Sequence, residues 1–210
     1  MKLLIFGATG ATGRLLVDQA LAEGNEVVAY VRNPSNLNMY NEHLEIIQGE
    51  LSNQEAIARA MIGADAVIST LGPRARQKGR PLTNGMQKIL AAMQDQGVRR
   101  LIITSTLSAK DPNDALNSKA KAMIAIVKLM MHSAYEEIVR VAGLIRASDC
   151  DWTIIRLSIL NNKPKTGNVK VGSISKGEVG TAISRADLAD FILKQVADKT
   201  YFREAPAISN

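Results

Sequence analysis

The sequence predicts an α/β fold: a doubly wound parallel sheet between helices, in three αβα layers. Three observations predict it. Short apolar runs alternate with helical patterns at the spacing of βαβ units. The first run passes directly into a glycine series, Gly7-Ala-Thr-Gly10-Ala-Thr-Gly13, which opens a helix. The chain has 210 residues, enough for one such sheet and too few for an independent second domain of similar size.

Taken in order, Lys2 to Phe6 (KLLIF) is an apolar run stopped by glycine, as expected of a strand covered on both faces. From Ala11 to Glu23 the pattern is helical, with Gly13, Val17, Ala20 and Leu21 on one face and Gly24 ending it. Glu26 to Val31 (EVVAYV) is a second strand closed by Asn33-Pro34, and Leu44 to Gln48 a third. Asn53 to Ile62 is a helix with Ser52 or Asn53 as its N-cap. Ala66 to Leu71 is a fourth strand. Pro81 to Gln96 is a long amphipathic helix with Ile89, Ala92 and Met93 inward. Val98 to Thr104 and Trp152 to Leu157 are the fifth and sixth strands. Between them, a polar loop beginning at Lys110 leads into KAMIAIVKLMM, ending at Met131, read as a core helix, with a lid over a pocket as the alternative. Right-handed crossovers then give the strand order 3-2-1-4-5-6 of a Rossmann-like sheet.

Composition removes several function classes. Aromatic residues are only 4% of the chain, which argues against modules that stack bases on exposed rings. One cysteine, Cys150, excludes an internal disulfide and a multi-cysteine zinc site, and His43 and His132 match no metal-ligand spacing, so no metal is expected. No apolar run reaches the roughly 18 residues a membrane helix needs, and Lys2 with the run after it leads into the glycine series rather than a cleavage site. A cytoplasmic location is the expectation. The net charge of +6 calls for an anionic partner. No helix-turn-helix or zinc motif accompanies it, so nucleic acid is not expected.

The glycine series has the context of a dinucleotide-binding turn. Gly7 permits the turn, Gly10 lets the backbone approach a pyrophosphate, and Gly13 lets the helix pack on the sheet. Thr9 and Thr12 add hydroxyls, and the helix N-terminus, with Ala11 at its start, offers free N–H groups. An acid at the end of the second strand would hold the 2′-OH of NAD. This chain has Arg32 followed by Asn33, so the 2′-phosphate of NADP(H) is the better match than NAD(H). Arg14 adds charge nearby. The expected division is a single domain, 1–210, with a dinucleotide-binding core over about 1–150 and a small substrate-side portion over about 151–210.

GATGATG, Arg32-Asn33, Gly49-Glu50-Leu51, Gly63-Ala-Asp65-Ala-Val67 and Ile183-Ser-Arg-Ala-Asp187-Leu-Ala together resemble the atypical short-chain dehydrogenases. Within them they are similar to the small NAD(P)-binding proteins related to biliverdin-IXβ reductase/flavin reductase and to NmrA-like proteins, over nearly the whole chain. The resemblance implies that Glu50 and Leu51 lie near the adenine, although the family usually has Asp where Glu50 stands. It implies that Leu71, Gly72 and Arg74 border the cofactor and that Thr104, Ser105 and Thr106 lie near the nicotinamide. The family tends to have prolines after the sixth-strand arginine, where this chain has Leu157 and Ser158.

The proton-transfer pair Tyr-x-x-x-Lys of many short-chain dehydrogenases is incomplete. Tyr135 is followed four residues later by Val139, and Arg140 is one position off. Ser105 and Thr106 remain as hydroxyl candidates, with Tyr135 behind them. Reduction of a simple ketone needs a strong proton donor, whereas a conjugated acceptor delocalises the incoming charge. The expectation is an NADPH-dependent oxidoreductase passing a hydride to a flavin, quinone or related conjugated acceptor such as a tetrapyrrole. The alternative is a non-catalytic NADP(H)-binding regulator, similar to NmrA-like proteins, that binds another macromolecule. Two basic stretches, Pro73 to Arg80 and Lys163 to Lys176, carry four positive residues each and no acid. They are read as solvated loops, or as a rim that draws in an anionic cofactor and substrate. Arg156 is a further strand-end polar group, and Asp187, after a Ser184 cap, is read as helix N-terminal electrostatics. A monomer or small homo-oligomer is expected.

Overall fold

Leu3, Leu4, Ile5 and Phe6 point alternately to the two faces of the sheet, and all four are buried. This double burial dictates the three layers. In the computed structural model, which describes residues 1–73, 79–107, 109, 111, 114, 118–157, 159–172 and 176–210, β1 (Lys2–Phe6), β2 (Glu26–Val31), β3 (Leu44–Gln48), β4 (Ala66–Ser69), β5 (Arg100–Thr106) and β6 (Asp151–Leu157) run parallel. The helices are α1 (Ala11–Ala22), α2 (Gln54–Met61), α3 (Pro81–Asp95), α4 (Ser118–Met130), α5 (His132–Arg146) and α6 (Arg185–Ala197). Leu4, Phe6, Val28 and Val67 pack with Ile57 of α2, Ile89 and Met93 of α3, and Val141 and Ile145 of α5. Leu3, Ile5 and Val27 pack on the other face with Leu16 and Val17 of α1 and Leu188 and Ile192 of α6.

The expected strand order is present and is extended beyond β6 by two short strands, giving β3-β2-β1-β4-β5-β6-β10-β8, with β8 (Lys170–Gly172) and β10 (Ala207–Ser209) antiparallel to each other. A separate parallel pair joins β7 (Ile159–Asn161) to β9 (Ala182–Ser184). Asn53 is the N-cap of α2, its side chain accepting from Ala56 N–H at 3.0 Å.

The Met-rich stretch departs from its core-helix expectation. It forms α4, whose Ile126, Leu129 and Met130 are exposed, and the chain then breaks into a second helix. It is α5 that supplies the buried Ala134, Val141, Ala142 and Ile145. High apolar content announces burial only where another layer is available to cover it.

Two buried charges fix the far ends of the layers. Arg100 donates to Gln195 O, at the C-terminal end of α6, and to Asp151 O and Thr153 Oγ1 of β6, and it stacks over Phe202 at 4.4 Å. Asp187 sits in the first turn of α6, where the Ser184 hydroxyl caps its N–H at 3.0 Å. Its carboxylate also accepts from Thr166 N–H, Gly167 N–H and the Asn210 amide. Asp187 is thus more than a dipole partner, because it fastens the segment after β7 and the end of β10 to α6.

Candidate functional site

The site begins where β1 ends. Gly7 has φ +85°, a conformation L side chains rarely adopt, and an added Cβ would stand 2.6 Å from Thr70 Oγ1. That hydroxyl donates to Phe6 O and Gly7 O, both at 3.3 Å, and Gly10 N–H closes the turn onto Gly7 O at 3.0 Å. A Cβ on Gly13 would lie 2.1 Å from Gly7 O. The fold itself therefore requires glycine at positions 7 and 13. The demand is far weaker at Gly10, which has φ −73° and ψ 163° and whose Cβ would meet only Gly7 O, at a tight 3.3 Å. Gly10 is the N-cap of α1 and is exposed. The room left there, in front of a helix N-terminus, is a cradle that a Cβ would partly fill and that a pyrophosphate fits.

Electrostatics agree with that fit. No side chain caps α1, and its first turn carries no acid. Helices α2 and α6 are capped by Asn53 and Ser184, and the N-terminal turn of α3 is met by the Glu137 carboxylate, which accepts from Thr83 N–H at 2.9 Å, whereas α5 shares the bare start of α1 without its glycine turn. The first-turn N–H groups of α1 are left for an outside acceptor.

Beyond the turn lies a hollow of about 380 Å³ along the ends of β1, β2 and β3. Of the residues singled out from sequence, Gly7, Thr9, Arg32, Glu50, Leu51, Leu71 and Gly72 line it. Gly10, Ala11, Thr12 and Gly13 do not line it: Gly10 is the N-cap of α1, Ala11 and Thr12 begin that helix, and Gly13 is buried. Asn33 does not face it: its side chain accepts from Ser35 N–H and Oγ and caps a short 3-10 turn. Arg14 is also tied elsewhere, donating to Asn36 O at 2.6 Å. Arg32 is exposed at the rim.

Several wall residues escaped sequence reasoning. Tyr30 donates its phenol to Glu50 O at 2.9 Å and packs against Phe6 with ring centroids 5.1 Å apart. Burial, with the Glu50 charge adding and Arg59 opposing, holds that phenol above its ordinary pKa, so it remains a donor. Gly49 is required because a Cβ would fall 2.1 Å from Tyr30 Oη, and Gly85 because one would fall 2.9 Å from Leu51 Cβ. Lys88 and Asn84 complete the α3 side. The Gly49-Glu50-Leu51 motif was the available signal, but its contacts with Tyr30 and Gly85 are long-range and invisible in local pattern.

A second hollow, about 220 Å³, adjoins the first and shares Leu71, Gly72 and Leu82 with it. It lies over the ends of β4 and β5, where Ser69, Thr70, Thr104, Ser105 and Thr106 contribute hydroxyls. Met86, Ile138, Val141, Leu157 and Leu160 supply apolar walls. Among its described lining residues there is no Asp, Glu, His, Lys or Arg. A larger hollow of about 530 Å³, beside Cys150 and Arg99, opens at the opposite edge of the sheet, away from the strand ends that bind ligands in doubly wound folds.

Two sequence candidates change status. Tyr135, in the first turn of α5, does not line the second hollow; α5 presents Ile138 and Val141 there instead. Arg156 is not free for a ligand. Its guanidinium forms a two-pronged ion pair with the Asp114 carboxylate, and its Nε donates to Ala205 O at 2.7 Å. Burial by itself would raise the Asp114 pKa, but the Arg156 hydrogen bond, the Asp111 N–H and the Arg156 and Arg146 charges hold it below its ordinary value. Arg156 thereby ties the segment between β5 and α4 to β6. Arg74 and Ser158 lie outside the described residues.

Comparison with known proteins adds four findings. The family described as NAD(P)H-binding matches residues 7–199. The UPF0659 protein YMR090W of Saccharomyces cerevisiae is 27% identical over 207 residues, 93% of this chain and 87% of that protein. Among solved structures, ChuY of Escherichia coli O157:H7, described as an anaerobillin reductase, has a TM-score of 0.80 at 21% identity and covers 100% of this chain and 97% of its own. A short-chain dehydrogenase/reductase of Veillonella parvula DSM 2008 in complex with NADP has a TM-score of 0.76 at 19% identity, covering 100% and 94%. The two structural likenesses establish the fold.

Proposed function

The chain belongs to the NAD(P)H-binding family, and from that premise we propose that it is an NADPH-dependent reductase that passes a hydride to a conjugated acceptor, a quinone or a flavin ring. The observation that carries the reading is the pair of adjoining hollows. One has a helix N-terminus and an arginine at its rim, and the other is apolar and lined with hydroxyls. NADPH, when bound, supplies the hydride. The first turn of α1 would receive the pyrophosphate, Arg32 the 2′-phosphate, and the wall of Tyr30, Leu51 and Gly85 the adenine side.

In the second hollow, Thr104, Ser105 and Thr106 would orient an acceptor carbonyl by hydrogen bonds, and Ile138, Val141 and Leu157 would hold a ring flat against the nicotinamide side. The absence of an ionisable group among the described walls suits an acceptor that spreads negative charge over its own ring and then takes a proton from water. It suits a ketone, whose alkoxide needs a committed proton donor, poorly. The name of ChuY, a reductase on the same fold, supports the reading. The described walls favour a neutral ring over the anionic acceptor that net charge alone suggests.

The direct test is to incubate the protein with NADPH and either a soluble quinone or FMN, and to follow loss of the reduced-nicotinamide absorbance. Oxidation is expected. Tight NADPH binding without turnover on either acceptor class would overturn the catalytic reading in favour of an NADP(H)-binding regulator. The cofactor preference has its own test. Arg32→Asp should weaken NADPH binding roughly 10- to 100-fold, the loss of a charge-assisted phosphate contact, and leave NADH binding nearly unchanged. Equal effects on the two would remove Arg32 from the 2′-phosphate.

A further inference from the structure

Helix α4 turns an apolar stripe outward. Leu129 is 85% exposed, Met130 78% and Ile126 57%, and Ala122 and Ala125 are exposed beside them. The positions 122, 125, 126 and 129 recur at i, i+3, i+4 and i+7, so they form one stripe along the helix. Large apolar side chains gathered in this way mark an interaction surface.

The charge on the same helix is all of one sign. Ser118–Met130 contains Lys119, Lys121 and Lys128 and neither Asp nor Glu, and Lys121 and Lys128 are exposed. The corner after α4 has a defined place. Helix α5 starts at His132 and must end where β6 begins, so Met130 and the half-exposed Met131 lie at the carboxyl edge of the parallel strands. Where β6 leaves that edge, Ile159 is 71% exposed, and the segment 163–176 that follows carries four lysines and no acid.

We propose that α4 is an interfacial helix that docks the protein on an anionic lipid surface. Its Ile126, Leu129 and Met130 enter the boundary between headgroups and acyl chains, and Lys121 and Lys128 meet the phosphates. Charge complementarity selects this occupant over a second copy of the chain. Two copies joined through α4 would set the lysines of one helix against those of the other, with no carboxylate on either to answer them. None of the helices among the described residues is long and apolar enough to cross a membrane, so the contact is peripheral.

The test is sedimentation of the full chain with vesicles of phosphatidylcholine alone or with phosphatidylglycerol added, in the absence of nucleotide and acceptor. Its outcome is therefore independent of the reductase reading. Binding to the anionic vesicles and not to the neutral ones is expected. Lys121→Ala and Lys128→Ala should each weaken it about fivefold. Leu129→Ser should weaken it roughly tenfold or more without changing the unfolding temperature, because the side chain leaves no cavity. Failure to bind, or equal binding to both vesicle types, overturns the proposal. So does a concentration-dependent dimer that Leu129→Ser dissolves, which would assign the stripe to a second copy. A change in KM for a soluble quinone caused by Leu129→Ser in lipid-free solution would also overturn it, by assigning α4 to the crevice.

Discussion

Gly13→Ala is expected to abolish nucleotide binding and to cost about 3 kcal/mol or more of stability, the upper end of overpacking in a close-packed core. The added methyl meets only backbone: Gly7 O at 2.1 Å, Gly7 C at 2.8 Å and Ala8 Cα at 2.9 Å. No side chain can swing aside, so α1 must lift off β1 or the turn at Gly7 must open. Either movement spoils the N–H groups at the start of α1. Urea unfolding and an NADPH fluorescence titration would show both losses. Gly10→Ala is the informative companion. With one tight contact, Gly7 O at 3.3 Å, and an ordinary backbone conformation, it should fold with a stability loss well below that of Gly13→Ala and still lose NADPH affinity. A Gly10→Ala protein that binds NADPH like the parent would refute the phosphate-turn assignment, whatever Gly13→Ala does.

Asp187→Ala should destabilise the protein by about 3–5 kcal/mol, as expected when several donors lose one buried carboxylate. Asp187 is fully buried. It accepts from Thr166 N–H at 2.9 Å, Gly167 N–H at 2.8 Å, Ser184 Oγ at 2.6 Å and the Asn210 amide, so its removal strands donors in three separate segments. Burial alone would raise its pKa, but these hydrogen bonds outweigh burial and hold it below the ordinary carboxylate value. The sign of the pH dependence follows. Its contribution is fully present above the unfolded-state pKa of about 3.9 and is lost as pH falls through the lower folded-state value. Urea midpoints for the parent and for Asp187→Ala should therefore differ most near neutrality and converge in acid. A constant difference down to pH values well below the unfolded pKa would show that the carboxylate charge is not what the network uses.

The sheet was legible in the sequence because its signals are local. KLLIF is buried on both faces after its first residue and reads as such, and EVVAYV reads as the strand it forms. Glycines mark the turn at Gly7, and Asn53 and Ser184 sit at the helix starts they cap. The strand order followed from handedness alone. What could not be read depends on contacts far apart in the chain. Strands β8 and β10 have three residues each, and β10 has its place only between β6 and β8. Gly49 and Gly85 look like ordinary loop and helix glycines until Tyr30 and Leu51 are placed against them. Arg156 looked available to a ligand because its partner, Asp114, is 42 residues away in a polar loop. The Met-rich stretch was misjudged for the converse reason: composition records how apolar a helix is, and only packing records whether anything covers it.

The strip shared by the two hollows, Leu71, Gly72 and Leu82, has a consequence for the order of events. A nucleotide lying along the first hollow would itself become part of the wall of the second. An acceptor arriving beforehand would find that wall missing, with water standing where the donor ring belongs. On the proposed reading, assembly would then be sequential, with the nucleotide entering before the acceptor.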